Sequence, residues 1–170
     1  MRRLFLGGTP QTIAQFRELL PKQMQSCLAD SFAMDMTAGE HEVRAKTIML
    51  LQNANRLREK KIIETLLNTQ AQGGQAVLGL DDTLQAVSDR RVQTLVISDG
   101  YQMPGFVEYN SGFVVANLAK SPLSDRELTA VDDVINSAFT LSLNQGAHVE
   151  VVHGNADLDN AGKIGALLRF

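Results

Sequence analysis

The chain has 170 residues, 44% of them apolar and 21% charged, with a formal net charge of -3 and a pI near 5.6. That is material for one ordinary domain or two small ones with a real core, and it excludes intrinsic disorder and a global basic field for nucleic acid. With no Trp, two Tyr and one Cys, the chain has little for a base-stacking platform and nothing for a disulfide framework or thiolate metal cluster.

Arg3–Leu6 is a short apolar run ending at Gly7-Gly8. Thr9 then offers a helix cap, with Pro10 at the first helical position and Ile13, Phe16, Leu19 and Leu20 on one face. LFLGGTPQT thus reads as strand, turn and helix; without a full GxGxxG or a P-loop lysine it is a weak phosphate cradle. Pro21 ends the helix, and Cys27–Met36 is predicted to be the next strand, with Cys27 a buried, inert thiol. A long helix is predicted over 38–70. Val43, Thr47, Leu50, Ala54 and Leu57 form one stripe, and Ile62, Ile63, Leu66 and Leu67 continue on a shifted face, as if the two halves served different cores. Between them lies the basic run RLREKK, where Arg56, Arg58, Lys60 and Lys61 are either an RNA contact or a solvated helix face.

Gly73-Gly74-Gln75 follows this helix, and DDTLQAVSDR after it reads as a helix with Asp81 or Asp82 at its start and Leu84 and Val87 inward. VQTLVIS (92–98) is a central strand. The segment 99–125 is too long for a plain connection and carries two β-like patches, FVEY and FVVANL. Ser124 or Asp125 is expected to cap the following helix, whose apolar positions run Leu128, Val131, Val134, Ile135, Ala138 and Leu141 up to Gly146. HVEVV and KIGALLRF are strands. From residue 81 onward the alternation of helices and strands argues an α/β layered domain.

Catalytic machinery is not legible. His148 and His153 have odd spacing and fall on opposite faces of an extended strand, so a shared metal is not expected. No serine sits in a nucleophile elbow, and adjacent Asp132 and Asp133 diverge by about 100° on a helix. No apolar run approaches the ~18 residues of a membrane span, and MRRLFLGG is too short for a signal peptide, so a cytoplasmic protein is expected.

The block GQAVLGLDDTLQAVSDRRVQTLVIS, with GAHVEVV and the final KIGALLRF, resembles the third domain of archaeo-eukaryotic class I peptide-chain release factors and of their ribosome-rescue relative Pelota. RRLFLGGTPQTIAQFRELL and the long helix resemble the close of that family's second domain, so the resemblance covers nearly the whole chain. It implies an L30e-like three-layer α/β/α domain over 57–170, preceded over 1–56 by a partial ribonuclease-H-like β-α-β-α segment with a long linking helix. The function it implies is docking in translation termination or ribosome rescue, non-enzymatic and without a cofactor, with the ribosome and a translational GTPase as partners. Asp81, Asp82, Asp132 and Asp133 are either candidates for the GTPase face or, as the simpler reading, a solubilising helix surface. The chain is accordingly expected to be a C-terminal fragment or a truncated relative.

Two departures from the family pattern matter. Many members carry a zinc ribbon in the third domain, but here Glu108, Ser111, Ser121 and Ser124 stand at the positions resembling its cysteines, while Gly112 and Pro122 remain. Hydroxyls do not hold zinc as thiolates do, so no metal is expected, and the insert 99–125 should rely on β-pairing and on Phe106, Tyr109, Phe113 and Leu118. The second departure concerns the Gly-Gly-Gln tripeptide, which in the family belongs to the second domain and precedes a basic helix. Here it follows LFLGG and precedes an apolar, acidic stretch, so Gln75, with Gly73 and Gly74, is a weak candidate for peptidyl-tRNA hydrolysis and a better one for a hinge. A stand-alone L30e-type RNA-binding module is the other alternative.

Overall fold

The computed structural model describes residues 3–35, 37–117 and 128–170. The chain divides into two compact units, Met1–Leu57 and Arg58–Phe170.

In the first unit, strand β1 (Leu4–Gly8) pairs in parallel with β2 (Leu28–Ala33), joined through α1 (Pro10–Leu19) and the single turn α2 (Lys22–Gln25). Thr9 caps α1 as its position suggests, its Oγ1 accepting from the Thr12 amide, with Pro10 filling the first helical position. The Cys27 expectation fails. The second strand starts at Leu28, and Cys27 lies exposed in the turn before it, because Lys22–Gln25 spend the preceding residues on a helical turn. Helix α3 runs Glu40–Ala71, and the division between units falls inside it.

In the second unit a four-stranded sheet has the order β3-β9-β4-β8, from β3 (Ala76–Leu78), β4 (Val92–Ser98), β8 (His148–Val152) and β9 (Ile164–Leu168). β4 and β8 are parallel, while β9 runs antiparallel to both β3 and β4. The β-branched run of β4 explains its central position, since alternate residues bury on opposite faces. Leu95 and Ile97 join a core with Leu84 and Val87 of α4 (Leu80–Ser88) and Val134, Ile135 and Ala138 of α5 (Val134–Asn144). Val96 turns the other way, toward Ile63 and Leu66 of α3 and Leu158 of α6 (Ala156–Asn160). Each fully buried Ile or Leu here contributes ~1.5–3 kcal/mol. The α/β expectation is thus met, with helices on both faces of the sheet.

The segment after β4 forms a second, three-stranded antiparallel sheet of order β6-β5-β7: β5 (Gly105–Glu108), β6 (Phe113–Val115) and β7 (Thr129–Val131). Val107 and Val114 anchor it in the core beneath α4 and α5. Two expectations are corrected here. The helix predicted from Leu128 onward begins only at Val134, because Thr129–Val131 pair with Gly105–Val107 and Asp133 caps the helix, its Oδ1 accepting from the Ile135 amide. Tyr109 does not support the insert: it is 70% exposed, whereas Phe113 is 6% exposed. Leu118, Pro122, Ser124 and Asp125 lie outside the described residues.

Candidate docking surface

The Gly-Gly-Gln tripeptide closes helix α3. The Gly73 amide donates to Gln70 O at 2.9 Å and the Gly74 amide to Thr69 O at 2.8 Å, the paired bonds of a Schellman cap. Gly73 supplies the left-handed residue that such a cap needs, at φ 67°. Gln75 then enters the sheet, its carbonyl accepting from Leu168 N at 2.9 Å. The tripeptide therefore joins helix to strand, with the Gly73 and Gly74 amides and the Gly74 and Gln75 carbonyls bonded within the fold.

The basic run on α3 separates into different roles. The Arg58 guanidinium donates to Glu150 Oε2 at 2.8 Å, and His148 Nε2 contacts Glu150 Oε1 at 2.8 Å. Glu150 lies buried on β8, two residues from His148 and hence on the same face of the strand. Arg58 is thus committed to an internal carboxylate. Lys60 and Lys61 remain exposed, Lys60 within 3.7 Å of Glu64 one turn away, and Arg56, in the first unit, is exposed as well.

His153 lies just beyond β8, not within it, so the strand-face argument never applies to it. Its ring stands between two carboxylates, Glu59 at 3.8 Å and Asp99 at 3.6 Å. Asp99 opens a recess of about 470 Å³ where the parallel strands β4 and β8 end. The chain leaves β4 toward the α5 face and leaves β8 toward α6 on the opposite face, the switch-point arrangement in which α/β sheets form crevices. Ser98 Oγ donates to Asp159 Oδ1 at 2.7 Å, and Lys163 Nζ sits 5.9 Å from the centre of the Tyr101 ring. Partial burial, reinforced by the negative charge of Asp81, pushes the Tyr101 hydroxyl above its ordinary pKa. Ser98 Oγ is thus held by a carboxylate rather than by a histidine, and the recess gathers hydroxyl, carboxylate and ammonium groups suited to polar recognition.

The four predicted acidic residues do not form one kind of surface. Asp81 and Asp82 lie in the first turn of α4, where carboxylates complement the helix dipole, and Asp82 is exposed. Asp133 is spent on capping α5 and Asp132 is exposed just before it. In the insert, Glu108 accepts from the Asn110 amide at 3.0 Å and the Ser111 amide at 2.8 Å, so its carboxylate organises the β5–β6 turn. Ser121 and Ser124 lie outside the described residues. Among the described residues, no helix is long and apolar enough to cross a membrane, and no three or more His, Cys, Asp or Glu side chains gather as a metal site.

Sequence pattern missed the recess because its parts come from four separated segments. Lys163, one of the lining residues, is held at φ 66°, which only the folded backbone reveals.

No protein-family profile matches the chain. It is 26% identical over 192 aligned residues to peptide chain release factor subunit 1 of Thermoplasma acidophilum, covering all of this chain and 46% of that protein. Among solved structures, an archaeal Pelota described as ribosome-bound with ABCE1 matches with a TM-score of 0.62 and 18% identity, over 100% of this chain and 44% of that one. The C-terminal domain of a peptide chain release factor from Methanosarcina mazei matches with a TM-score of 0.56 and 16% identity, over 79% of this chain and 97% of that one. The chain therefore spans about half the length of the curated relative it matches. From end to end, it is similar to the C-terminal portion of archaeo-eukaryotic class I release factors and Pelota.

Proposed function

We propose that this chain is the docking portion of a release-factor-like or rescue-factor-like protein, which engages the ribosome and a translational GTPase without itself catalysing hydrolysis. The observation that carries this reading is the similarity, over the whole of this chain and 46% of the relative, to a peptide chain release factor subunit. The fold shared with a Pelota described as ribosome-bound supports it. In this reading the first unit is the close of a second domain, the second unit is the third domain, and the β5–β6–β7 insert is a zinc ribbon that has lost its thiols. Exposed Asp82 and Asp132, with Asp81, would serve the GTPase, and exposed Arg56, Lys60 and Lys61 would meet ribosomal RNA.

Co-sedimentation through a sucrose cushion with ribosomes of the source organism tests the first partner. Co-elution with each translational GTPase of that organism, with and without a non-hydrolysable GTP analogue, tests the second. Binding to ribosomes and to one GTPase at micromolar concentrations is expected, with Asp82→Lys plus Asp132→Lys abolishing the GTPase complex alone. No binding to either partner would end the docking reading.

A further inference from the structure

We propose that the second unit carries a nucleotide-phosphate site, separate from the surfaces described above. It is a recess of about 350 Å³ lined by Arg90, Tyr109, Asn110, Asn144, Gln145 and Arg169. Its volume lies near the lower end for small-molecule pockets (~300–1,000 Å³), suited to a single nucleotide unit.

Three observations carry the assignment. The first is the backbone at Arg90. Helices α3, α4 and α5 all close with the same pair of Schellman bonds: Gly73 and Gly74 in α3, Arg90 to Val87 O and Arg91 to Ala86 O in α4, Gly146 to Leu143 O and Ala147 to Ser142 O in α5. The left-handed position is glycine in α3 and α5, but in α4 it is Arg90, at φ 58°. Glycine would fit there without strain, so Arg90 stands against the backbone preference, and it lines the recess.

The second is charge. Two arginines, Arg90 and Arg169, line the recess, and no Asp or Glu is among its lining residues. Arg169 is oriented by its own bond, Nη2 donating to Gln145 O at 2.9 Å, and neighbouring Arg91 is occupied by Phe170 O. Two acids adjacent in sequence to lining residues have hydrogen bonds of their own: Asp89 accepts from Gln85 Nε2 at 3.0 Å, and Glu108 accepts from the Asn110 and Ser111 amides. Paired guanidiniums suit a phosphate because their donors match its oxygens in a fork.

The third is the rest of the lining. Asn110 and Asn144 present amides, and Tyr109 leaves most of its ring exposed, a surface on which a base can stack. Ser111 Oγ and Gln145 Oε1, also on the recess wall, lack any protein hydrogen-bond partner. Phosphate, planar base and amide edges together describe a nucleotide, either free or as one unit of an RNA strand. This site does not depend on the docking reading.

The test is fluorescence anisotropy of a labelled oligouridylate with the full chain, competed by AMP and by inorganic phosphate. Arg90→Gly relieves the backbone and should leave the melting temperature equal or higher while weakening binding about tenfold. Arg169→Gln should weaken it similarly, and either change should lower the salt-dependence slope by ~0.7, the value of one phosphate contact on a single strand. Competition by AMP at a concentration comparable to RNA nucleotides supports a free nucleotide as ligand; competition only by RNA supports a strand. Absence of RNA and AMP binding at millimolar concentration, or binding unchanged in both variants, would overturn the assignment.

Discussion

Arg58 and Glu150, ninety-two positions apart, meet at 2.8 Å, with the Glu150 side chain 9% exposed and the Arg58 side chain 52% exposed. The asymmetry determines what each substitution does. Removing Arg58 strands a buried carboxylate with His148 as its remaining polar partner on this face, whereas Arg58 itself can turn to solvent. Arg58→Ala should therefore cost about 1–2 kcal/mol, less than a fully buried pair would lose. Lys60→Ala, at an exposed i,i+4 pair, should cost less than ~0.5 kcal/mol. Urea denaturation of both variants, with Glu150→Ala to close a double-mutant cycle, measures the difference. Equal costs would return Arg58 to the group of solvent-facing candidates for RNA contact.

The capping geometry separates the three residues of the tripeptide. Gly73→Ala places a side chain at φ 67° and should cost roughly 1 kcal/mol. At Gly74 an added Cβ would stand 2.9 Å from Thr69 Cγ2 and 3.0 Å from Thr69 O, so Gly74→Ala should loosen the end of α3 by ~1–2 kcal/mol. Gln75→Ala keeps the backbone bond to Leu168 and should change stability by less than ~0.5 kcal/mol. A peptidyl-tRNA release assay should show no activity that depends on Gln75. Activity that vanishes with Gln75→Ala alone would make this tripeptide a catalytic motif after all.

Legibility of this chain tracked how local the deciding interactions are. Thr9-Pro10, the span of α3, the β-branched run of β4 and the inward Leu84 and Val87 are set by neighbours in sequence, and all could be read there. Val131 misled because it continues the spacing of Val134, Ala138 and Leu141 while its backbone is claimed by β5, a partner more than twenty residues away. The short strand β3 and helix α6 have too few residues to show a period. Among candidate site residues, Arg58 read as a surface charge because nothing local reveals Glu150 beneath it. The recess at Arg90 escaped notice because its lining comes from a helix end, a hairpin turn, another helix end and a strand terminus.

Tyr101 gives a pH signature. Its pKa is raised from 10.0 by burial and by the charge of Asp81, so the fold binds its proton more tightly than the unfolded chain does. The stabilisation is fully present below pH 10.0 and is lost as pH rises through the higher folded-state value, because unfolding releases that proton in this window. Melting temperature followed upward from pH 9 should fall more steeply in the parent protein than in Tyr101→Phe. Ultraviolet titration of Tyr109→Phe, which leaves Tyr101 as the only tyrosine, should show a delayed phenolate transition. Identical slopes for parent and Tyr101→Phe would mean that this ring is no more protected than a free tyrosine.

Two glycines test how firmly the insert is fixed to the core. At Gly105, the first residue of β5, an added Cβ would meet Val115 O and Val134 Cβ, each at 2.7 Å. One neighbour is backbone within the same small sheet, and the other is a β-branched side chain at the first residue of α5, buried in the main core, so neither yields by a rotamer change. Gly105→Ala should therefore cost about 2–3 kcal/mol, through displacement of β5 from α5. At Gly100 an added Cβ meets nothing within 4 Å, and only the φ of +72° opposes it, so Gly100→Ala should cost roughly 1 kcal/mol. Thermal unfolding ranks the two, and hydrogen exchange at Val107 and Val114 shows where protection is lost. If Gly105→Ala were as mild as Gly100→Ala, with exchange unchanged, the insert would tolerate movement away from α5, and its sheet would hold together by strand pairing rather than by the core beneath it.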